Sequence, residues 1–378
     1  MELFDVIVVG LGAMGSAACC ALARQGLATL GIEQFDIGHE FGSSHGHTRV
    51  IRKAYFEDPR YVPMARQAFT LWRALEAASG EELLHASGCL NLGPPAHPCV
   101  QGVRTSAEKH GLPFEMLSAA EIHVRWPAME PNPGDVGVYE EDAGFLYPEK
   151  CIAALVAAAR SQGCRFEIRR KVMQWRPDGD SVVVETDGGE HRCRHLVITA
   201  GPWLPQLAAN LRLPLRVERQ VQTWFNPRRP ELFAVGHFPI FIHFLGDRSY
   251  YGIPAGERPW VKIARHHGGL FTTADTVNRS VTPADEADIR CYIQRHLPFA
   301  DGPLMEAKVC LYTNTPDDHF IIDRHPDSAN VVIAGGFSGH GFKFAPVVGQ
   351  MLCDMVVRGS DQPPMDMFSI GRFPRGLR

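Results

Sequence analysis

The first fifteen residues set the strongest constraint on this chain. Val6-Ile7-Val8-Val9 is a continuous apolar run, and Gly10-Leu11-Gly12-Ala13-Met14-Gly15 follows at once. Such a run suits a parallel strand buried on both faces. In the turn, Gly10 permits a tight reversal, Gly12 lets the backbone approach a pyrophosphate, and Gly15 lets the next helix pack close to the strand. The predicted helix carries small and apolar residues over 17–23 and presents free N–H groups and its positive dipole end to a phosphate. Gly26 is placed to stop it. A second strand over 28–32 ends on Glu33, which can accept hydrogen bonds from ribose hydroxyls and disfavours a 2′-phosphate there. A glycine turn alone is weak evidence. Between two strands, with the acid in register, it specifies a dinucleotide site.

At 378 residues the chain is longer than one typical core and suggests two domains. The net charge of −4 gives no sign of nucleic acid or an anionic membrane as partner. The 17 histidines are scattered without metal-site spacing, so no metal is expected. The 10 cysteines include no C-x-x-C pair, which points to free thiols in a reducing compartment. The opening apolar run is too short to span a membrane and has no basic segment before it. A cytoplasmic location is the expectation.

Apolar residues at three- and four-residue steps predict a helix over 60–80, with others over 149–162 and 346–358. Strands are predicted over 89–93, 137–139, 166–169 and 182–185. Buried strands ending in glycine turns are predicted before Gly201 and before Gly335-Gly336. Between about 218 and 317 aromatics, prolines and alternating strand-like runs dominate. The expected fold is α/β, in two domains. A Rossmann-like domain over 1–85, 146–217 and 318–378 is interrupted by a β-rich substrate domain over 86–145 and 218–317. A discontinuous cofactor domain favours FAD over NAD.

Two further segments narrow the reading. One is Gly42-Ser43-Ser44-His45-Gly46-His47-Thr48-Arg49-Val50-Ile51-Arg52. The other runs from Cys310-Leu311-Tyr312-Thr313-Asn314 to Asp323, followed by Gly335-Gly336-Phe337-Ser338-Gly339-His340-Gly341-Phe342-Lys343-Phe344. With Tyr250-Tyr251-Gly252 and the stretch 262–266, they resemble the monomeric sarcosine oxidase family, which includes N-methyltryptophan and pipecolate oxidases. The resemblance covers essentially the whole chain.

The resemblance implies FAD held covalently through a thioether from Cys310, with a small amino acid and O2 as partners of a monomer. It implies that Lys262 sits over the flavin through a water and activates oxygen. His45 and Arg49 would lie on the opposite face and supply positive charge and hydrogen bonds. Arg52 and Lys343 would bind the substrate carboxylate, an arrangement suited to a guanidinium fork and an ammonium. Tyr251, His266 and Tyr312 would line the amine pocket, with His266 among the catalytic groups and Lys343 also touching the cofactor. The expected reaction is oxidation of a secondary amine to an imine, then a primary amino acid, formaldehyde and hydrogen peroxide. N-methyltryptophan, pipecolate or another cyclic or N-alkyl amino acid, or an electron acceptor other than O2, are the alternatives. The chain departs from the pattern at His47, where Asp is common, and at Ile242, where a methionine faces the substrate. The stretch 243–249 also differs and is expected to shape the pocket mouth.

Overall fold

The computed structural model describes residues 2–358 and 364–374. Among the described residues, eight strands form a sheet whose parallel centre is built on Leu3–Val9. Thr29–Ile32 pairs on one side of that strand and Gly189–Ile198 on the other; Arg165–Glu167 and Ser328–Gly335 extend the parallel order. The opening run behaves as a doubly covered strand must. Val6 and Val8 join one core and Ile7 and Val9 another, on opposite faces. The helices Ala13–Arg24, Pro148–Ser161 and Ala345–Arg358 cover the first of these faces. Gly26 follows the first helix with φ +76°, the left-handed stop that a glycine adopts without strain.

A second, mixed sheet of nine strands is built mainly from the segment predicted to be β-rich. Its centre holds Arg216–Phe225, Val261–His266, Arg248–Ile253 and Ile240–Leu245; Leu304–Asn314 pairs along Arg216–Phe225. Cys89–Gly93, Val136–Glu140 and Glu115–Ser118 complete one edge. A small sheet of Arg49–Ile51, Gly144–Leu146 and Leu84–Ala86 lies apart from both larger sheets.

Two local expectations change. The strand predicted over 166–169 ends at Glu167, because Arg169 turns the chain at φ +54°. There the Arg169 and Arg170 N–H groups donate to Phe35 O and Glu33 O. Between 93 and 136 the sequence reading placed no helix, yet Pro98–His110 and Ala119–Arg125 are helical. The second carries a capping box, Ser118 with Glu121, which is visible in the sequence as S-x-x-E.

Candidate active site

One cavity of about 370 Å³ runs past the glycine turn, Glu33, Arg49, Arg52, Gly201, Tyr251, His266, Cys310, Tyr312, Gly336 and Lys343. It thus collects most of the predicted site residues from five distant parts of the chain. Gly15, His45 and Lys262 stand behind its wall.

In the glycine turn, Gly10 and Gly15 are required by space. Gly10 has φ +89°, and a Cβ there would lie 2.7 Å from Thr199 O. A Cβ on Gly15 would lie 1.8 Å from Gly10 O, so the helix could not sit this close with any other residue. Gly12 caps the helix with no side chain in the way, and Ser44 Oγ accepts from Ala13 N at 3.2 Å. Glu33 is buried and fixed by accepting from Leu11 N at 2.8 Å and Phe35 N at 3.1 Å. Farther along, Thr48 Oγ1, Gln220 Nε2 and Thr313 Oγ1 are buried, line the cavity and lack a partner among the described residues. Buried polar groups need hydrogen-bond partners. A polar ligand running from the glycine turn past these groups fits them, and a dinucleotide with a polar ring at its far end has that form.

Arg49, at the start of its short strand, donates from Nη1 to Thr48 O at 2.9 Å and Gln222 Oε1 at 3.1 Å. Its Nη2 donates to Ser43 O at 3.1 Å and to His45 O, and lies 3.7 Å from Cys310 Sγ. Strand pairing places Cys310 opposite Gln220, with a cation against its sulfur. Lys262 is fully buried. Its Nζ donates to Gly46 O at 2.9 Å, Thr48 O at 3.0 Å and Gln222 Oε1 at 2.5 Å, and lies 5.1 Å from the Trp224 ring centre. Burial, then Arg49, presses the ammonium to give up its proton. All three neighbours are acceptors, however, and a neutral amine has only two N–H groups, so this geometry holds the charged form. Gly46 makes the cluster possible: its φ is +109°, and a Cβ there would lie 2.1 Å from Gln222 Oε1.

Two expectations are corrected here. Lys262 and Arg49 do not stand apart to flank a ring from two sides, because both donate to one amide oxygen, Gln222 Oε1. His45 supplies no positive charge. Burial, with Arg49 and Lys262 beside it, pushes its pKa down to about 2, and both ring nitrogens lack a partner among the described residues. It is a neutral polar group next to two cations.

Arg52 and Lys343, expected to bind one carboxylate, both lie against the Tyr55 ring. Arg52 Cζ stacks over the Tyr55 ring at 4.2 Å, and Lys343 Nζ lies 5.0 Å from the same ring centre and donates to its hydroxyl at 3.0 Å. Arg52 also donates both Nη2 bonds to Glu57, at 2.8 and 3.0 Å. Burial opposes the charge on Arg52, and Glu57 more than offsets it. Burial, then Arg52, pushes Lys343 down to about 7. Trp72 Nε1 donates to Lys343 O at 2.8 Å and fixes its backbone to the helix Tyr61–Ser79. Beside them His266 Nδ1 lies 3.2 Å from the Tyr312 hydroxyl, and burial, then His267, keeps His266 neutral. Ile242 lines the cavity, but none of the residues 243–249 does. Side chains alternate along the strand Ile240–Leu245, so Ile242 faces the cavity side. His243 turns away onto Tyr292 and Asp135, at 3.1 and 3.3 Å. His47 also points outward, 3.1 Å from Glu306. Gln222, Tyr55 and Glu57 escaped the sequence reading. Strand parity with Cys310 could have marked Gln222; the other two sit in an irregular stretch with no periodic signal.

Among the described residues no helix is long and apolar enough to cross a membrane, and no group of three or more His, Cys, Asp or Glu is placed to hold a metal ion. The sequence model of the DAO family, described as FAD dependent oxidoreductase, matches residues 5–355. The chain is 39% identical to the monomeric sarcosine oxidase of Streptomyces avermitilis, over 97% of this chain and 96% of that one. It is 35% identical to the N-methyl-L-tryptophan oxidase of Citrobacter koseri, over 98% and 99%. Among solved structures it is similar in fold to NikD, an unusual amino acid oxidase essential for nikkomycin biosynthesis, with a TM-score of 0.88, 23% identity and 98% of each chain covered. The chain belongs to the DAO family of FAD dependent oxidoreductases, in the group of the monomeric sarcosine oxidases and N-methyl-L-tryptophan oxidases.

Proposed function

We propose that the protein oxidises the secondary amine of an N-methyl amino acid such as sarcosine, with FAD as cofactor and O2 as electron acceptor. Amine, O2 and water give a primary amino acid, formaldehyde and hydrogen peroxide by way of an imine. The observation that carries this reading is the meeting of Arg52 and Lys343 over Tyr55, in the cavity that also holds the glycine turn and Cys310. Such a pair binds one carboxylate and turns the rest of an amino acid toward the remaining wall. The size of the amine substituent stays open between sarcosine, N-methyltryptophan, pipecolate and other N-alkyl or cyclic amino acids, with Ile242 facing it. Anaerobic mixing with a panel of N-alkyl and cyclic amino acids, beginning with sarcosine, N-methyltryptophan, pipecolate and proline, tests the reading: one of them should bleach the flavin, and bleaching by none of the panel refutes it. Peroxide formed under air separates an oxidase from a dehydrogenase serving another acceptor.

Gly10, Gly12, Gly15 and Glu33 would hold the adenosine and pyrophosphate, with Gly201 and Gly336 along the wall. FAD, when bound, would supply the redox chemistry, accepting two electrons from an N-methyl C–H bond and delivering them to O2. The chain's own groups do the rest. Arg52 and Lys343 orient the carboxylate. Neutral His266, beside the hydroxyl of Tyr312, can accept a hydrogen bond from the amine without taking its proton, and Tyr251 closes the pocket. Lys262 and Arg49 place fixed positive charge where negative charge develops on oxygen. We assign the parallel sheet to a cofactor domain over 1–85, 146–217 and 318–378, and the mixed sheet to a substrate domain over 86–145 and 218–317. The ten free cysteines support a reducing, cytoplasmic setting, and the name of the Streptomyces relative supports a monomer.

Cys310 is the proposed point of covalent attachment. The parent protein should keep its yellow colour in the pellet after acid precipitation, and Cys310→Ser should release it to the supernatant. Colour released from the parent removes the assignment.

Lys343 supplies a pH signature. Its pKa of about 7 in the folded protein means that the cation is present below pH 7 and lost above it. Affinity for a non-oxidisable carboxylate should be flat below that pH and fall above it, by at most about tenfold per unit. A bound carboxylate favours the ammonium, so binding above pH 7 takes up a proton. Difference spectra of the flavin across pH 6–9 read the affinity, and Lys343→Met should abolish the slope. A slope that survives in Lys343→Met assigns it to another group.

A further inference from the structure

Gln222 has no role in the reading above, yet it sits at its electrostatic centre. It lies on the strand Arg216–Phe225, buried, and lines the cavity that Lys262 does not reach. Its Oε1 accepts from Lys262 Nζ at 2.5 Å and Arg49 Nη1 at 3.1 Å, and its Nε2 donates to His45 O at 3.4 Å. An ammonium has three donors and no more. Gly46 O, Thr48 O and Gln222 Oε1 take all three, and Gln222 and Thr48 are the parts of that cage that face the cavity. Lys262 therefore presents no free N–H to the cavity. It acts there through its field alone, and the amide oxygen is the group nearest to blunting that field.

We propose that Gln222 is a positioning residue that sets the rate of the oxygen half-reaction, by capping the third donor of Lys262 and tying it to Arg49. The proposal rests on the reading of the site as an FAD oxidase. Reduced FAD gives two electrons and two protons to O2, forming hydrogen peroxide. Negative charge builds on oxygen as the electrons arrive, and a charge-assisted hydrogen bond would stabilise it. Removing the amide opens Lys262 to the cavity, where an exchangeable water takes the place of its oxygen, keeps three acceptors on the ammonium and gives way as charge builds on O2. A carboxylate in its place would neutralise the field of both cations.

The test measures the two half-reactions separately. The flavin is reduced with dithionite, so no amine is needed, and the second-order rate of its reoxidation by O2 is read by stopped flow. Gln222→Ala should raise that rate by about tenfold, the size of one charge-assisted hydrogen bond, and Gln222→Glu should lower it by about as much. The midpoint potential of the flavin should fall in Gln222→Glu and hold in Gln222→Ala, a readout that loosened packing does not sort by sign. Gln222→Met, which removes the acceptor and keeps the volume, replaces the alanine variant if that does not fold. Opposite signs support the proposal; equal slowing, no change, or any other pattern overturns it. Failure of every amine to bleach the flavin would refute the oxidase reading instead, and the dithionite experiment is independent of that outcome.

Discussion

Lys262→Met slows reoxidation of the reduced flavin by O2 by roughly a hundredfold or more, the cost seen when one preorganised electrostatic group is removed from a developing charge. It leaves flavin reduction by the amine nearly untouched. The asymmetry follows from where the lysine points. Its ammonium is directed to Gly46 O, Thr48 O and Gln222 Oε1, and it has no hydrogen bond to Arg52, Lys343 or His266, the groups that orient the substrate. Methionine keeps the length and the contact with Trp224 but removes the charge. Arg49 and its bond to Gln222 remain, so a residual oxygen reaction persists. His45, neutral and without hydrogen on one ring nitrogen, cannot substitute for the missing cation. Stopped-flow measurement of the two half-reactions decides the matter. Equal losses in both would show that Lys262 shapes the whole site rather than the oxygen step.

The parts of this site that were legible in the sequence are those whose chemistry is local. Gly10 and Gly15 must be glycine because of contacts within the same strand-turn-helix unit and with Thr199, just past the next parallel strand. Glu33 follows from the length of that unit. The cation cluster is different in kind. Lys262 reaches Gln222 across 40 residues and Gly46 across 216, and only the register between Arg216–Phe225 and its two neighbours brings them together. A motif names such residues without saying on which side of a cofactor they stand, which is why Lys262 and Arg49 were expected to flank the ring and are found on one acceptor. Strand parity also explains the stretch 243–249. Unusual residues there suggested a pocket mouth, but alternation sends His243 to the far side of the sheet, onto Tyr292 of the helix Pro283–His296. The helices Pro98–His110 and Ala119–Arg125 were missed for a simpler reason. Their exposed polar faces dilute the apolar period, and only the capping box of the second announced it.

Arg52→Met should produce two effects of separate origin, and a second substitution can divide them. Arg52 is buried and Glu57 nearly so, and Nη2 of Arg52 donates to both carboxylate oxygens. Removing one member of such a pair leaves the other charged and unpartnered, at a cost of about 3–5 kcal/mol. Arg52→Met is therefore expected to unfold at distinctly lower denaturant concentration than the parent. Glu57→Gln added to it removes the orphaned charge and should restore most of that loss, since the glutamine can still donate and accept within the pocket. Substrate binding should not recover with stability. Lys343 alone would hold the carboxylate; losing Arg52 relieves one of the causes that press its pKa down, but a lone ammonium cannot replace the guanidinium fork. Loss of one partner of a buried charge pair costs about 2–5 kcal/mol in recognition, so KM should rise by roughly a hundredfold in both the single and the double variant, while reoxidation by O2 stays at the parent rate. Recovery of KM together with stability in the double variant would mean that Arg52 serves the fold through Glu57 and has no direct part in holding the carboxylate.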